Sequence, residues 1–105
     1  GLPNHEAIAA AKGGVEALTR AAAATYASKG IRVNAVAPGL VETPATERLT
    51  ASEAARKNSE GLIPLRRIGQ PGDIASAITW LLDPANDWIT GQVIGLDGGL
   101  GPVRA

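Results

Sequence analysis

Several residue types with distinctive chemistry are absent or rare in this sequence. The 105 residues include no cysteine, no methionine and no phenylalanine, and His5 is the single histidine. Without cysteine the chain has neither a disulfide framework nor a thiolate nucleophile. Because zinc in proteins is held mainly by cysteine and histidine, one histidine argues against a zinc site, and we expect no metal.

An excess of charge of either sign is also lacking. Ten basic and ten acidic side chains give a formal net charge of zero, without the basic excess typical of proteins that bind nucleic acids or acidic membranes. No apolar run reaches the roughly 18 residues of a transmembrane helix, and the first residues, GLPNHEAI, do not resemble a signal sequence. We therefore expect one globular cytoplasmic unit that binds neither nucleic acid nor membrane.

Helical and strand patterns alternate along the chain. The alanine-rich segment from Glu6 to about Ser28 places its larger apolar residues at helical spacing, which predicts a helix ended by Lys29 and Gly30. The β-branched run IRVNAVA predicts a strand from Ile31 to about Ala37, buried on both faces as in parallel sheets. The order of helix and strand predicts an α/β fold.

Further elements are bounded by residues that favour helix and strand ends. They are a short helix between Thr50 and Gly61, a helix from Pro71 to Pro84, and a strand from Gln92 to Leu96. Thr50 and Glu53 have the spacing of a capping box, and proline suits the first turn of a helix. Two buried parallel strands do not form a stable sheet alone, because their edges need backbone partners. We expect either a second copy or the preceding part of a longer domain to supply them.

Four motifs occur in a familiar order: NHEAIAAAKGG, GIRVNAVAPGLVETP, PLRRIGQPGDIASAITWLL and WITGQVIGLDGG. Together they resemble the C-terminal part of the short-chain dehydrogenase/reductase family, in its 3-oxoacyl carrier-protein reductase-like subgroup, from about His5 to Leu100. The resemblance implies that residues 1–105 are the C-terminal portion of a Rossmann-type doubly wound parallel sheet. It also implies NAD or NADP as cofactor and hydride transfer between the nicotinamide and a carbonyl or alcohol substrate.

The resemblance assigns the catalytic positions to the first helix. In the family a tyrosine four residues before a lysine is the general acid/base, and the lysine binds the nicotinamide ribose. Lys12 matches the lysine, whereas Ile8 occupies the tyrosine position and cannot transfer a proton. His5 is a candidate substitute, because it lies three residues before Ile8 on the same helical flank. The alternative is that His5 lies in the turn before the helix and helps Asn4 to cap it or faces water.

Cofactor contacts are implied for the turn after the first strand. Pro38 and Gly39 would pass beneath the nicotinamide, the backbone of Val41 would meet its carboxamide, and the Thr43 hydroxyl would reach the carboxamide or the pyrophosphate. From spacing alone, PGLVET is better explained as an ordinary strand-to-helix turn, and the neighbouring motifs favour the cofactor interpretation. Residues 45–63 match the part of the family that covers the substrate and varies with it, so they do not name a substrate.

Other polar and aromatic residues have structural interpretations. We expect Asp73 to pair with Arg66 or Arg67, and Asp97 to hold backbone amides in a turn. We expect Trp80 and Trp88 to pack in a core or an interface.

Three functions stay open, because the glycine-rich phosphate loop and the catalytic serine of the family are absent from the 105 residues. The chain is expected to be an inactive fragment or truncated form of an NAD(P)-dependent oxidoreductase. The alternatives are a non-catalytic module that associates with itself through the helix Glu6 to Ser28, and an atypical reductase that uses His5. The resemblance also implies a homo-oligomer through this helix.

Overall fold

The computed structural model describes residues 3–102 of the chain. Its helices and strands, in chain order, are α1 (Glu6–Tyr26), β1 (Ala35–Pro38), α2 (Glu47–Thr50), α3 (Glu53–Leu62), α4 (Pro71–Leu82) and β2 (Val93–Leu96). Short 3-10 helices occupy Ala27–Lys29, Pro44–Thr46 and Pro84–Asn86. No helix of the described part is long and apolar enough to span a bilayer.

The two strands are parallel neighbours in a two-stranded sheet. The Ala35 N–H donates to the Gln92 carbonyl at 2.8 Å, and the Gly39 N–H donates to the Leu96 carbonyl at 3.0 Å. Residue numbers increase in the same direction on both strands from one bond to the next, so the strands are parallel. The predicted α/β class is therefore confirmed.

The chain divides into two compact units. The first combines the described part of Gly1–Ala35 with Leu81–Ile94, and the second combines Val36–Trp80 with the described part of Gly95–Ala105. Each unit has a small apolar core. The buried apolar side chains are Ala23 and Leu81 in the first unit, and Val41, Ile63 and Ile68 in the second.

Helix α1 follows the sequence prediction closely. It begins at Glu6 as predicted, but its α-helical part ends at Tyr26, and residues 27–29 tighten into a 3-10 turn before Gly30. Such tightening is common in the last turn of a helix, where carbonyls lack helical partners. Gly30 has a φ of 72°, in the left-handed region, so the predicted glycine stop is confirmed.

The first strand is shorter and more exposed than predicted. It begins at Ala35 rather than Ile31, because side chains supply part of the pairing of the preceding residues. The Val33 N–H donates to the Thr90 hydroxyl at 3.0 Å, and the Asn34 amide donates to the Ile89 carbonyl at 3.1 Å. Ala35 is half-buried, whereas the last two residues of the strand are exposed. Ile31, where the predicted strand began, is also 49% exposed, so burial on both faces is wrong within the described chain.

The cap of α3 also differs from the prediction. Ser52, not Thr50, is the N-cap, and its hydroxyl accepts from the Ala55 N–H at 3.1 Å. Gly61 lies inside the helix rather than ending it. The chain leaves α3 after Leu62 with Ile63 extended, which is the backbone favoured before a proline.

The later elements agree better with the sequence. Helix α4 begins at Pro71 as predicted and ends at Leu82, and β2 starts one residue later than predicted. The tryptophans differ: Trp80 is half exposed and Trp88 is 97% exposed, so core packing is wrong within the described residues. Packing in an interface stays a prediction.

The burial of Ile63 gives a test of the second unit's core. Its side chain is 2% exposed, so Ile63→Ala should lower the free energy of unfolding by about 2–5 kcal/mol through lost burial and a cavity. The neighbouring Leu62 is 61% exposed, and Leu62→Ala should cost less than about 1 kcal/mol. Urea denaturation of both variants measures the difference. Equal losses would contradict this core.

Candidate functional site

Ile8 and Lys12 lie on the same face of α1 as its two buried residues. Thr19 follows Ile8 by eleven residues and Ala23 follows Lys12 by eleven, which is about three turns at 3.6 residues per turn. Thr19 and Ala23 are each 5% exposed, whereas Ile8 is 52% exposed and Lys12 is exposed too. The face is thus covered at its C-terminal end and open at its N-terminal end.

Lys12 keeps its donors available at this open end. The ion pairs of the described residues join Arg56 to Glu42 and Glu60, and Arg67 to Asp73, and Lys12 takes part in none of them. An ammonium without an intramolecular ion pair offers three donors to a ligand hydroxyl. The neighbouring Ile8 side chain offers only hydrocarbon.

His5 lies in the turn before α1 rather than on a helical turn. It occupies the N-cap position without a side-chain cap hydrogen bond, and its Nδ1 lies 2.8 Å from the Pro3 carbonyl. Asn4, with a φ of 61°, precedes it and is not the N-cap residue. His5 is exposed. This geometry matches the alternative in which His5 belongs to the turn, and it leaves Nε2 as the ring nitrogen for any ligand.

Gly39 lies at a close approach within the second unit. A Cβ built on Gly39 would lie 2.6 Å from Asp97 Cβ and 2.8 Å from Asp97 Cα. These separations are far below a normal carbon contact, so only glycine fits without a backbone shift. The preceding Pro38 ends β1 and is exposed. The sequence suggested that Gly39 makes room for a ligand. The close approach of Asp97 already requires a glycine at this position.

Val41 is fixed by a parallel bridge to Gly69. The Gly69 N–H donates to the Leu40 carbonyl at 3.0 Å, and the Glu42 N–H donates to the Gly69 carbonyl at 2.8 Å. The Val41 side chain is buried within this unit. The turn is therefore held to the residues that lead into α4.

Thr43 is held by a residue that the sequence reasoning missed. The Thr43 N–H donates to the Thr46 hydroxyl at 3.0 Å, and that hydroxyl donates to the Val41 carbonyl at 2.6 Å. The two threonine hydroxyls lie 3.5 Å apart. A threonine three residues after another at a helix start is a recognisable capping signal, and it was available in TPAT. Thr46 therefore shapes the turn in which Thr43 is presented.

Two carboxylates flank this turn. Asp73 accepts two hydrogen bonds from Arg67, at 2.7 and 2.9 Å, and one from the Gln70 N–H at 2.7 Å, and these lower its pKa to about 2. Glu42 accepts from Gln70 Nε2 at 2.8 Å and from Arg56 Nη2, and these hold the pKa of its carboxyl below 4.5. The predicted pairing of Asp73 with an arginine is confirmed.

The remaining charged residues near this region have structural partners. Arg66 donates to the Gly61 carbonyl at 2.8 Å instead of pairing with Asp73. Asp97 accepts from the Gly99 N–H at 2.9 Å and the Gly101 N–H at 3.1 Å, so its predicted role of holding amides is confirmed. A cavity of about 350 Å³ in the same unit is lined by Arg67, Asp73, Asp97 and apolar neighbours. Its charged groups are therefore already engaged within the protein.

The structure brings some of the predicted site residues together. Pro38, Gly39, Val41 and Thr43 form one continuous turn in the second unit, whereas His5 and Lys12 belong to the first. Among the described residues no cluster of three or more histidine, aspartate or glutamate side chains forms a metal site.

Comparisons with known proteins match nearly the whole chain. A family profile described as enoyl-(acyl carrier protein) reductase matches residues 1–101. The 3-oxoacyl-(acyl-carrier-protein) reductase FabG of Thermotoga maritima is 47% identical over 100 residues, which cover 95% of this chain and 40% of that protein. The chain spans about 40% of the length of the curated relatives it matches.

Solved structures give the same result. An Agrobacterium tumefaciens protein assigned as a 2-deoxy-d-gluconate 3-dehydrogenase, with bound NADP, is 45% identical, with a TM-score of 0.79 over 87% of this chain and 37% of that one. A 4-hydroxyisoleucine dehydrogenase complexed with NADH is 30% identical, with a TM-score of 0.84 over 90% of this chain and 39% of that one. These likenesses confirm the predicted Rossmann-type portion.

The Arg67–Asp73 pair predicts a pH dependence. With the pKa of Asp73 lowered to about 2 from 3.8, the pair stabilises the fold fully above about pH 4 and loses this effect as the pH falls towards 2. In Arg67→Met the Asp73 midpoint should rise towards 3.8, since the largest cause of the shift is removed. Carboxyl NMR titration measures both midpoints.

Arg66→Met is the matched control, because Arg66 bonds the Gly61 carbonyl and not Asp73. It should leave the Asp73 midpoint near 2. A wild-type midpoint near 3.8, or an equal rise in both variants, would contradict the pairing.

Proposed function

We propose that this chain, which belongs to the short-chain dehydrogenase/reductase family, supplies the nicotinamide side of an NAD(P)-dependent oxidoreductase and lacks the proton donor of the reaction. The nicotinamide dinucleotide, when bound, accepts or donates a hydride at a carbonyl or alcohol carbon. One observation carries the proposal: Lys12 is present, exposed and unpaired in the described part of α1, one turn after Ile8. Lys12 can hold a ribose, and Ile8 cannot move a proton.

The chain's residues divide the work of binding. Lys12 donates to the ribose hydroxyls, and the turn from Pro38 to Thr43 meets the nicotinamide and its carboxamide. Val41 and Thr43 suit this role because the Gly69 bridge and the Thr46 hydroxyl fix their backbone before any ligand arrives. A turn that is ordered in advance pays less entropy on binding.

The proton step is where this chain departs from its relatives. In the family the tyrosine hydroxyl gives a proton to the carbonyl oxygen as hydride arrives, and positioned acid/base groups of this kind contribute about 10²–10⁴-fold in rate. The Ile8 hydrocarbon has no exchangeable proton. We therefore infer that the site binds the dinucleotide without efficient turnover.

A chimera tests this division between binding and chemistry. The chain would be joined to the preceding part of the Thermotoga maritima reductase, which supplies the phosphate loop and serine implied by the resemblance. The chimera should bind NADPH or NADH but reduce a 3-oxoacyl thioester slowly. Ile8→Tyr in the chimera should raise kcat by about 100-fold or more, because it restores the acid/base group.

Three variants control this experiment. Ile8→Phe adds the ring without the hydroxyl and should give no gain, and Lys12→Met should weaken dinucleotide binding. If Ile8→Tyr does not raise kcat while the dinucleotide is bound, the missing tyrosine is not the cause of the slow reaction. If the unaltered chimera is already fast and His5→Ala slows it, His5 is the acid/base and the proposal is wrong.

We also propose that the chain associates with itself through the segment Glu6 to Ser28, which contains α1 and the start of the 3-10 turn after it. The specific observation is a stripe of small, exposed residues on the side away from Thr19 and Ala23. These are Ala7, Ala10, Gly14, Ala17, Ala21 and Ala24. Small residues let a second helix approach closely, and the nearby Leu18 is 66% exposed and can add apolar burial.

Ala17→Glu tests this interface, since it adds bulk and charge to the stripe without touching the described core. The variant should raise the dimer dissociation constant by at least about tenfold, the result of roughly 1.4 kcal/mol. Ala54→Glu, an exposed alanine of α3, is the matched control and should leave association unchanged. Sedimentation equilibrium measures both. A wild-type chain that stays monomeric at millimolar concentration would refute the proposal.

A further inference from the structure

We propose that Glu42 is a positioning residue whose carboxylate fastens α3 and the entry to α4 onto the turn that carries Val41 and Thr43. All of these residues belong to the second unit. The inference rests on the proposed function only for what the turn binds. The mechanical coupling itself rests on contacts within the unit.

Glu42 contacts two separate segments, α3 and residues 69–70 just before α4. One carboxylate oxygen accepts from Arg56 Nη2 in α3, and the other accepts from Gln70 Nε2, just before α4, at 2.8 Å. Its own N–H donates to the Gly69 carbonyl at 2.8 Å. Arg56 and Gln70 lie 14 and 28 residues from Glu42 in the sequence. A single side chain therefore joins parts of the chain that have no local reason to meet.

The neighbours of Glu42 transmit its position to the turn. Val41 lies in the bridge with Gly69, and its carbonyl accepts from the Thr46 hydroxyl that also holds the Thr43 N–H. Each of these bonds fixes a residue adjacent to Glu42. Moving the carboxylate with α3 therefore displaces the backbone on both sides of it.

The network continues beyond Gln70. The Gln70 N–H donates to Asp73 at 2.7 Å, while its side chain donates to Glu42. Asp73 in turn holds Arg67 through two hydrogen bonds. Gln70 thus connects the two carboxylates, so the start of α4 is tied to the turn through its side chain and to Asp73 through its backbone.

The exposure of the ion pair argues for positioning rather than bulk stability. The side chains of Glu42 and Arg56 are 36% and 37% exposed. Ion pairs at this exposure contribute little to the free energy of unfolding. Core burial of Ile63 and Ile68 is the larger stabilising effect in the unit. What the Glu42 contacts add is a fixed placement of α3 against the turn.

By family resemblance, residues 45–63 cover the substrate, and they contain α2 and α3. The coupling then means that the position of these covering helices and the order of the turn that carries Val41 and Thr43 depend on each other. Such dependence is reciprocal: whatever orders one part favours order in the other.

Amide hydrogen exchange in the 105-residue chain, without any ligand, tests the coupling. Arg56→Met removes the α3 contact and lies far in sequence from the turn. Exchange at the Glu42 and Thr43 amides should rise by about two- to fivefold, the range expected for a partly exposed ion pair. Lys57→Met, which removes an exposed charge from the same helix, is the matched control and should leave these amides unchanged.

The conservative variant Arg56→Lys supplies a rescue. It keeps a cation beside Glu42 and leaves the Gln70 contact in place, so exchange at the Thr43 amide should be closer to wild type than in Arg56→Met. The Ala23 amide, in the first unit, should be constant in all variants. No change in Arg56→Met, an equal change in Lys57→Met, or a wild-type turn without protection would overturn the proposal. Failure of the chimera to bind NADPH or NADH would refute the proposed function and leave this exchange pattern intact.

Discussion

The parallel bridge between Val41 and Gly69 is the constraint on which the second unit depends. It joins the turn after β1 to the residues before α4 through two backbone hydrogen bonds of 2.8 and 3.0 Å. A Cβ on Gly69 would lie 3.2 Å from the Leu40 carbonyl oxygen, so the approach is close. Because the bridge brings Glu42 beside Gln70, the carboxylate network and the order of Thr43 both follow from it.

Local patterns predicted the long elements and failed where side chains compete with the backbone. The alanine content predicted α1, because that signal is repeated along the helix. Pro71 predicted the start of α4, because proline is specific to the first turn. Thr50 and Ser52 are both possible caps, and the pattern does not say which hydroxyl reaches an open N–H. In the same way, Asn34 lies within an apolar run that predicts a strand. Its side-chain amide donates to the Ile89 carbonyl, and the strand begins only at the next residue.

The candidate site shows the same division between local and distant signals. Arg67 and Asp73 are six residues apart, so their pairing was predictable from the short separation, and the helix dipole favours an acid at position 73. Glu42, Arg56 and Gln70 are brought together only by the fold, and no spacing in the sequence points to them. Thr46 is an intermediate case. Its spacing from Thr43 is a capping signal, but the signal is readable only if a 3-10 helix is expected to start there.

One face of α1 carries both its buried residues and the two candidate site positions, Ile8 and Lys12. Thr19 and Ala23 are buried on this face, and the same face at Ile8 and Lys12 is open in the described chain. An isoleucine on such a face is favoured by any apolar cover, whereas a tyrosine hydroxyl there needs a hydrogen-bond partner. Lysine can keep its charged end at the edge while its stem packs. Under the proposed function, an isoleucine in place of a tyrosine keeps an apolar side chain beside Lys12 on this face and removes the hydroxyl that would carry the proton.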